Sequence, residues 1–89
     1  MLKLIYTNRF LKDYELAKRR GLNIEKLKEV INRLVCKEPL DPKLKDHFLL
    51  GNYVSRRECH IEPDWLLIYK ISEQEIIFER TGSHSDLFR

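Results

Sequence analysis

The stretch Arg56-Arg57-Glu58-Cys59-His60-Ile61-Glu62-Pro63-Asp64-Trp65-Leu66-Leu67-Ile68-Tyr69 restricts the fold more than any other part of the chain. A charged segment runs into a proline, and an apolar segment runs out of it. Pro63 fixes its own φ and has no N–H to give a sheet, so the chain must turn or stay unpaired there. It also pushes Glu62 toward extended backbone. The unbroken apolar run Trp65–Tyr69 reads as a central strand covered on both faces. Two strands joined by this corner hold His60, Glu62 and Asp64 close together.

The rest of the chain supplies the neighbours such a strand needs. Leu2–Tyr6 reads as a first strand. Thr7 or Asn8 then caps a helix running to about Arg20, with Phe10, Tyr14 and Ala17 at helical spacing and Leu11 broadening the stripe. Gly21 ends it, since glycine takes positive φ without a Cβ penalty. Asn23 caps a second helix whose apolar face is Ile24, Leu27, Ile31 and Leu34, with Val30 and Val35 beside them. Leu22 and Leu27 stand where a hydrophobic staple would put them. The Leu22-Asn23 connection implies an antiparallel hairpin. Pro39 and Pro42 exclude regular structure from residues 38–52, and Gly51-Asn52 signals a turn. Strands are expected at Tyr53–His60, Trp65–Ile71 and Glu75–Thr81, with a turn at Ser72-Glu73-Gln74. Gly82 breaks the last strand and leaves a short tail. The expected architecture is α+β: a two-helix hairpin packed on one face of a mostly antiparallel four-stranded sheet. The other face, roofed only by the loop and the tail, is open and is where a site belongs.

Composition narrows the function classes. Eighty-nine residues make a single domain, residues 1–89, with a modest core. No run approaches the roughly 18 apolar residues that cross a bilayer. Met1–Tyr6 is too short and polar for a signal peptide, so a cytoplasmic protein without a membrane partner is expected. Cys36 and Cys59 form neither a disulfide framework nor a CxxC pattern and read as free thiols. The net charge of +3 is uneven, with the excess of lysine and arginine in residues 1–37. A basic first half suits an acidic partner, nucleic acid or protein.

His47, His60 and His84 each lie at or just outside the end of an element, which argues against buried structural roles. Histidine exchanges protons near neutrality, and Asp64 and Glu62 are placed to orient an imidazole or to act as base. Zinc is disfavoured because no HxH, HxxxH or CxxC brings two ligands together. Scattered surface histidines are the bland alternative. Arg56, Arg57 and Arg80 are cations suited to holding a phosphate and the charge that develops on it. Such a set fits metal-free and cofactor-free cleavage of RNA, where the ribose 2′-OH is itself the nucleophile. Trp65 and Phe88 are candidates for stacking on exposed bases.

At these residues the chain resembles the YafQ group of the RelE-like toxins of bacterial type II toxin–antitoxin systems. The resemblance runs over nearly the whole chain. It is carried by Lys45-Asp46-His47, by Cys59–Tyr69, and by Phe78-Glu79-Arg80-Thr81-Gly82-Ser83-His84 with Leu87-Phe88. It implies a RelE-like fold and an endoribonuclease that cuts mRNA in the ribosomal A site. His47, His60, Asp64, His84 and Phe88 fall on the family's active-site positions. The expected roles are His84 as general acid, His47, His60 or Asp64 as base, Arg80 on phosphate and Phe88 positioning the mRNA. The resemblance also implies a DinJ-like antitoxin, with operator DNA bound only through the toxin–antitoxin complex. The basic helices then suit ribosomal RNA. Two alternatives come from other classes: a ParE-like protein that inhibits DNA gyrase by binding, or chiefly a corepressor.

Overall fold

The computed structural model describes residues 1–48 and 56–88. Three strands from the second half form the middle of the sheet: β3 (Arg57–Glu62), β4 (Trp65–Ile71) and β5 (Glu75–Gly82). They are antiparallel, with β4 between its neighbours. Pro63 and Asp64 make the β3–β4 turn, and the register shifts between His60 and Glu62, as a proline corner requires. The N-terminal strand β1 (Lys3–Tyr6) adds to β5 in parallel, at the sheet edge.

Among the described residues the sheet has five strands, in the order β1-β5-β4-β3-β2, where four were expected. The additional one is β2, the pair His47–Phe48, antiparallel to β3 at the far edge. Two residues carry no periodicity, so a strand this short leaves no pattern to read. The expected strand start at Tyr53 and the Gly51-Asn52 turn lie outside the described residues. β3 continues past His60 to Glu62, and β5 runs through Gly82 before breaking.

Helices α1 (Asn8–Arg19) and α2 (Ile24–Val35) both lie on one face. Thr7 is the cap of α1: its Oγ1 accepts the Phe10 N–H at 3.0 Å and donates to the Glu79 carbonyl at 2.9 Å, fastening the helix start to β5. Gly21 takes φ +75, the left-handed geometry that ends α1. Asn23 Oδ1 accepts the Lys26 N–H and starts α2.

Under this hairpin lies the main core. Phe10, Leu27, Ile31, Cys59, Ile61, Trp65, Leu67, Tyr69, Ile76 and Phe78 are all buried there. Side chains such as Leu27 and Phe78, with no exposed surface, each contribute roughly 1.5–3 kcal/mol of transfer free energy. Alternation along β4 sends Leu66 and Ile68 to the opposite face, where Leu87 covers them. Leu87 belongs to α3 (His84–Leu87), one helical turn where the sequence suggested an irregular tail. Gly82 allows the chain to fold back there, because a Cβ at this position would stand 3.0 Å from Asp86 Oδ2 and 3.1 Å from its Cβ. Among the described residues, no helix is long and apolar enough to cross a membrane.

Candidate active site

The site occupies the sheet face away from the α1–α2 hairpin. Alternation along β3 places Glu58 and His60 on that face, while Cys59 turns into the core. β2 aligns His47 directly opposite Glu58, and α3 brings His84 in from the other side. The result is a row of rings. His47 and His60 are 6.2 Å apart between centroids, His60 and His84 5.8 Å, and His84 and Phe88 6.3 Å. Three histidines far apart in sequence thus share one surface.

Two carboxylates organise the row. Asp64 Oδ1 accepts the His84 backbone N–H at 2.9 Å and stands 2.7 Å from His84 Nδ1. These two contacts, the backbone N–H first, hold the Asp64 carboxyl below its ordinary pKa, so it stays ionised into acid. With Nδ1 turned to Asp64, Nε2 is the other ring nitrogen of His84, on a side chain 54% exposed. The second carboxylate is Glu58, whose Oε1 is 2.9 Å from His60 Nε2 and 3.8 Å from His47 Nε2. Its side chain is only 6% exposed. A buried carboxylate is costly unless paired, and here two imidazoles share it. Glu58 is not among the candidates the sequence suggested. Its place two residues before His60 in an extended strand was the available signal.

His47 is seated by a second group that sequence reasoning passed over. Asp46 Oδ1 accepts the Tyr69 hydroxyl at 2.6 Å and Arg57 Nε at 3.2 Å. Burial and the bond to Asp46 both push the Tyr69 hydroxyl up from its ordinary pKa. Lys45, just before, takes the left-handed φ of 49 and offers its carbonyl to His47 Nδ1. Together these turn the chain from the Pro42–Leu44 3₁₀ turn into β2. Beside His60, a cleft of about 530 Å³ is lined by Lys26, Lys43, Lys45, Glu62 and Pro63 among others. The expected orienting role of Glu62 is not seen, since it lies 3.5 Å from Lys26 Nζ.

Three expected nucleic-acid contacts sit differently. Trp65 is 2% exposed and donates its indole N–H to Thr81 Oγ1 at 2.9 Å, within the helix-covered core. It has no face to offer a base. The strand alternation that buries Leu67 and Tyr69 buries Trp65 with them. Arg80 meets Asp13 of α1 through Nε at 2.7 Å and Nη2 at 3.3 Å, and Asp13 also accepts the Thr81 N–H. Arg56 Nε lies 3.0 Å and 3.1 Å from the two Glu79 oxygens. Both arginines therefore hold carboxylates of the fold. Phe88, 42% exposed beside His84, keeps an accessible ring. Among the described residues, no three His, Cys, Asp or Glu side chains are grouped to hold a metal ion. Cys36 and Cys59 are both free.

Residues 2–89 match the family described as the bacterial toxin of type II toxin–antitoxin system, YafQ. The mRNA interferase toxin YafQ of Escherichia coli (strain K12) is 42% identical over 84 residues, which span 93% of this chain and 91% of that protein. The crystal structure of YafQ from E. coli strain BL21(DE3) superposes with a TM-score of 0.95 at 38% identity, covering 100% of both chains. YafQ in the crystal structure of the E. coli DinJ–YafQ toxin–antitoxin complex gives 0.92 at 39% identity, over 99% of this chain and 98% of that one. Fold and sequence thus agree over nearly the whole length: the chain belongs to the YafQ family of type II toxin–antitoxin toxins.

Proposed function

We propose that this protein is the toxin of a type II pair and an mRNA endoribonuclease that acts within the ribosomal A site and so inhibits translation. The observation that carries the reading is the ring row His47–His60–His84–Phe88, ordered by Glu58 and Asp64 on an exposed sheet face. Proton-transfer groups on both sides of one surface suit a reaction that needs a base and an acid at once. His60 takes the proton of the ribose 2′-OH, with Glu58 fixing its ring through Nε2. The 2′-oxygen attacks the adjacent phosphorus and the P–O5′ bond breaks, leaving a 2′,3′-cyclic phosphate. His84, fixed at Nδ1 by Asp64, protonates the departing 5′-oxygen from Nε2. The nucleophile belongs to the substrate, so the scheme calls for no metal or cofactor. Phe88 stacks beside the scissile step, and Lys43 and Lys45 draw the phosphate backbone past His60.

The ribosome presents the message, because an open face this small holds a free strand poorly. A DinJ-like antitoxin neutralises the toxin, as the E. coli complex of that name suggests, and operator DNA is bound only by the pair. Primer extension on a defined mRNA in a purified translation system tests the reading. Cuts at fixed positions within A-site codons, lost with His84→Ala, are expected. Blocked translation with intact message would refute cleavage in favour of inhibition by binding.

A further inference from the structure

Helix α3 carries His84 and leads into Phe88, yet it has four residues, too few to persist on local hydrogen bonding. Its contacts therefore decide where the histidine points. Leu87 anchors one side on Leu66 and Ile68. The N-terminus closes in a capping box: Ser83 Oγ accepts the Asp86 N–H at 3.2 Å, and Asp86 Oδ2 accepts the Ser83 N–H at 3.0 Å. The box fixes α3 internally but does not fix the box against the rest of the molecule.

That connection comes from the opposite face. Arg20, the C-cap residue of α1, reaches round the end of the sheet and donates from Nη1 to the same Asp86 Oδ2 at 2.8 Å. Gly82 leaves the carboxylate room to sit there. A cleft of about 300 Å³ separates this contact from the β3–β4 corner, and Arg20, Ser83 and Asp64 all line it. Arg20 and Asp64 thus grip α3 from two sides, one through Asp86 and one through His84. The Arg20 guanidinium, then the Ser83 N–H, hold the Asp86 carboxyl well below the usual carboxylate range, so the contact survives mild acid. With Arg20 and Asp86 side chains 47% and 21% exposed, the pair adds little to stability. Its effect is on geometry.

We propose that Arg20, acting through Asp86, is a positioning residue that sets the orientation of His84 and Phe88 on the site face. This rests on the reading of His84 as general acid. A carboxylate gripped by α1 keeps α3 from rocking on Leu87, and a shift of about 1 Å at a proton donor costs up to about a hundredfold in rate.

The test compares Arg20→Ala, Arg20→Lys, Asp86→Asn and the Arg20→Ala/Asp86→Asn double variant in the full chain. Cleavage at saturating and limiting concentrations of the ribosome–mRNA complex separates kcat from KM, and amide hydrogen exchange is followed at the His84 N–H that Asp64 accepts. Expected are a fall of about tenfold in kcat for Arg20→Ala and Asp86→Asn, with KM within about twofold. The double variant should be no worse than either single one, Arg20→Lys should recover most of the loss, and the His84 amide should exchange faster in the impaired variants. A raised KM with unchanged kcat for Arg20→Ala, and normal activity for Asp86→Asn, would make Arg20 an RNA contact and overturn the proposal. So would natural kcat and unchanged exchange. If Asp86→Asn fails to fold, the exposed Arg20 variants carry the test. If the natural chain cuts nothing while exchange still responds to Arg20, the nuclease reading fails and the link to His84 stands.

Discussion

The two faces of the sheet are built from the same strands by different rules. On the covered face, Cys59, Trp65, Leu67, Tyr69, Ile76 and Phe78 pack under two helices, and polar atoms there answer to the fold: Trp65 donates to Thr81 and Tyr69 to Asp46. On the other, the apolar cluster among the described residues is Leu66, Ile68 and Leu87, and polar groups answer to one another: Glu58 to two histidines, Asp64 to a third. One face supplies stability, which leaves the other free to keep charged side chains exposed and close together. Glu58 is the exception on that face: its carboxylate is buried and is held by two histidines.

The comparison breaks most visibly if one face is damaged without the other. His84→Ala should lower cleavage by at least about a hundredfold, the usual loss of a general acid, while the melting temperature stays within a few degrees. Primer extension and thermal unfolding on one preparation check both halves. Phe78→Ala, with no exposed surface at that position, should cost about 3–5 kcal/mol and remove activity only by unfolding the chain, as urea titration would report. Trp65→Phe sharpens the boundary. It removes the N–H to Thr81 at about 1 kcal/mol but leaves cleavage per folded molecule unchanged; an RNA-stacking tryptophan would lose cleavage instead.

A pH dependence, absent at neutral pH, appears only in alkali. Burial pushes the Cys59 thiol up to about 12, against 9.0 for the free group. Below pH 9 both folded and unfolded chains keep that proton, so stability is unaffected. Between those values the unfolded chain releases it and the folded chain does not, so stability falls as pH rises, by up to about 1.4 kcal/mol per unit. Urea midpoints measured on Cys59→Ala beside the natural chain should show a shallower alkaline decline. A thiol reagent at neutral pH should label Cys36 and spare Cys59.

Much of this was legible because periodicity and punctuation are local. Thr7, Gly21, Asn23 and Pro63 act where the sequence places them, and the run Trp65–Tyr69 is buried throughout, as a central strand must be. His47 and His84 stand at element ends, while His60 lies inside β3, which runs on to Glu62; their meeting needed only the open face. What escaped depended on contacts between distant residues. β2 exists because β3 offers an edge to His47–Phe48, and Glu58 has meaning only once His47 is opposite it. Arg80 was expected to meet a phosphate because nothing near it in sequence shows Asp13 arriving from α1. Trp65, a candidate for stacking, lies in the run expected to be a covered strand, and its alternation with Leu67 and Tyr69 sends it inward. The tail became α3 because Leu87 had an apolar patch to cover and Asp86 a cap to complete.

Neighbouring residues of β3 test the division of the two faces most directly. Cys59 points into the helix-covered core and His60 into the ring row, one position apart. Cleavage rate and unfolding free energy should be measured together for Cys59→Ala and for His60→Gln, whose amide still offers Glu58 an N–H. The account predicts a stability loss of about 1–2 kcal/mol with natural cleavage per folded molecule for Cys59→Ala. For His60→Gln it predicts cleavage down at least about a hundredfold on a fold of nearly natural stability. Cleavage that merely tracks stability in both variants would contradict it.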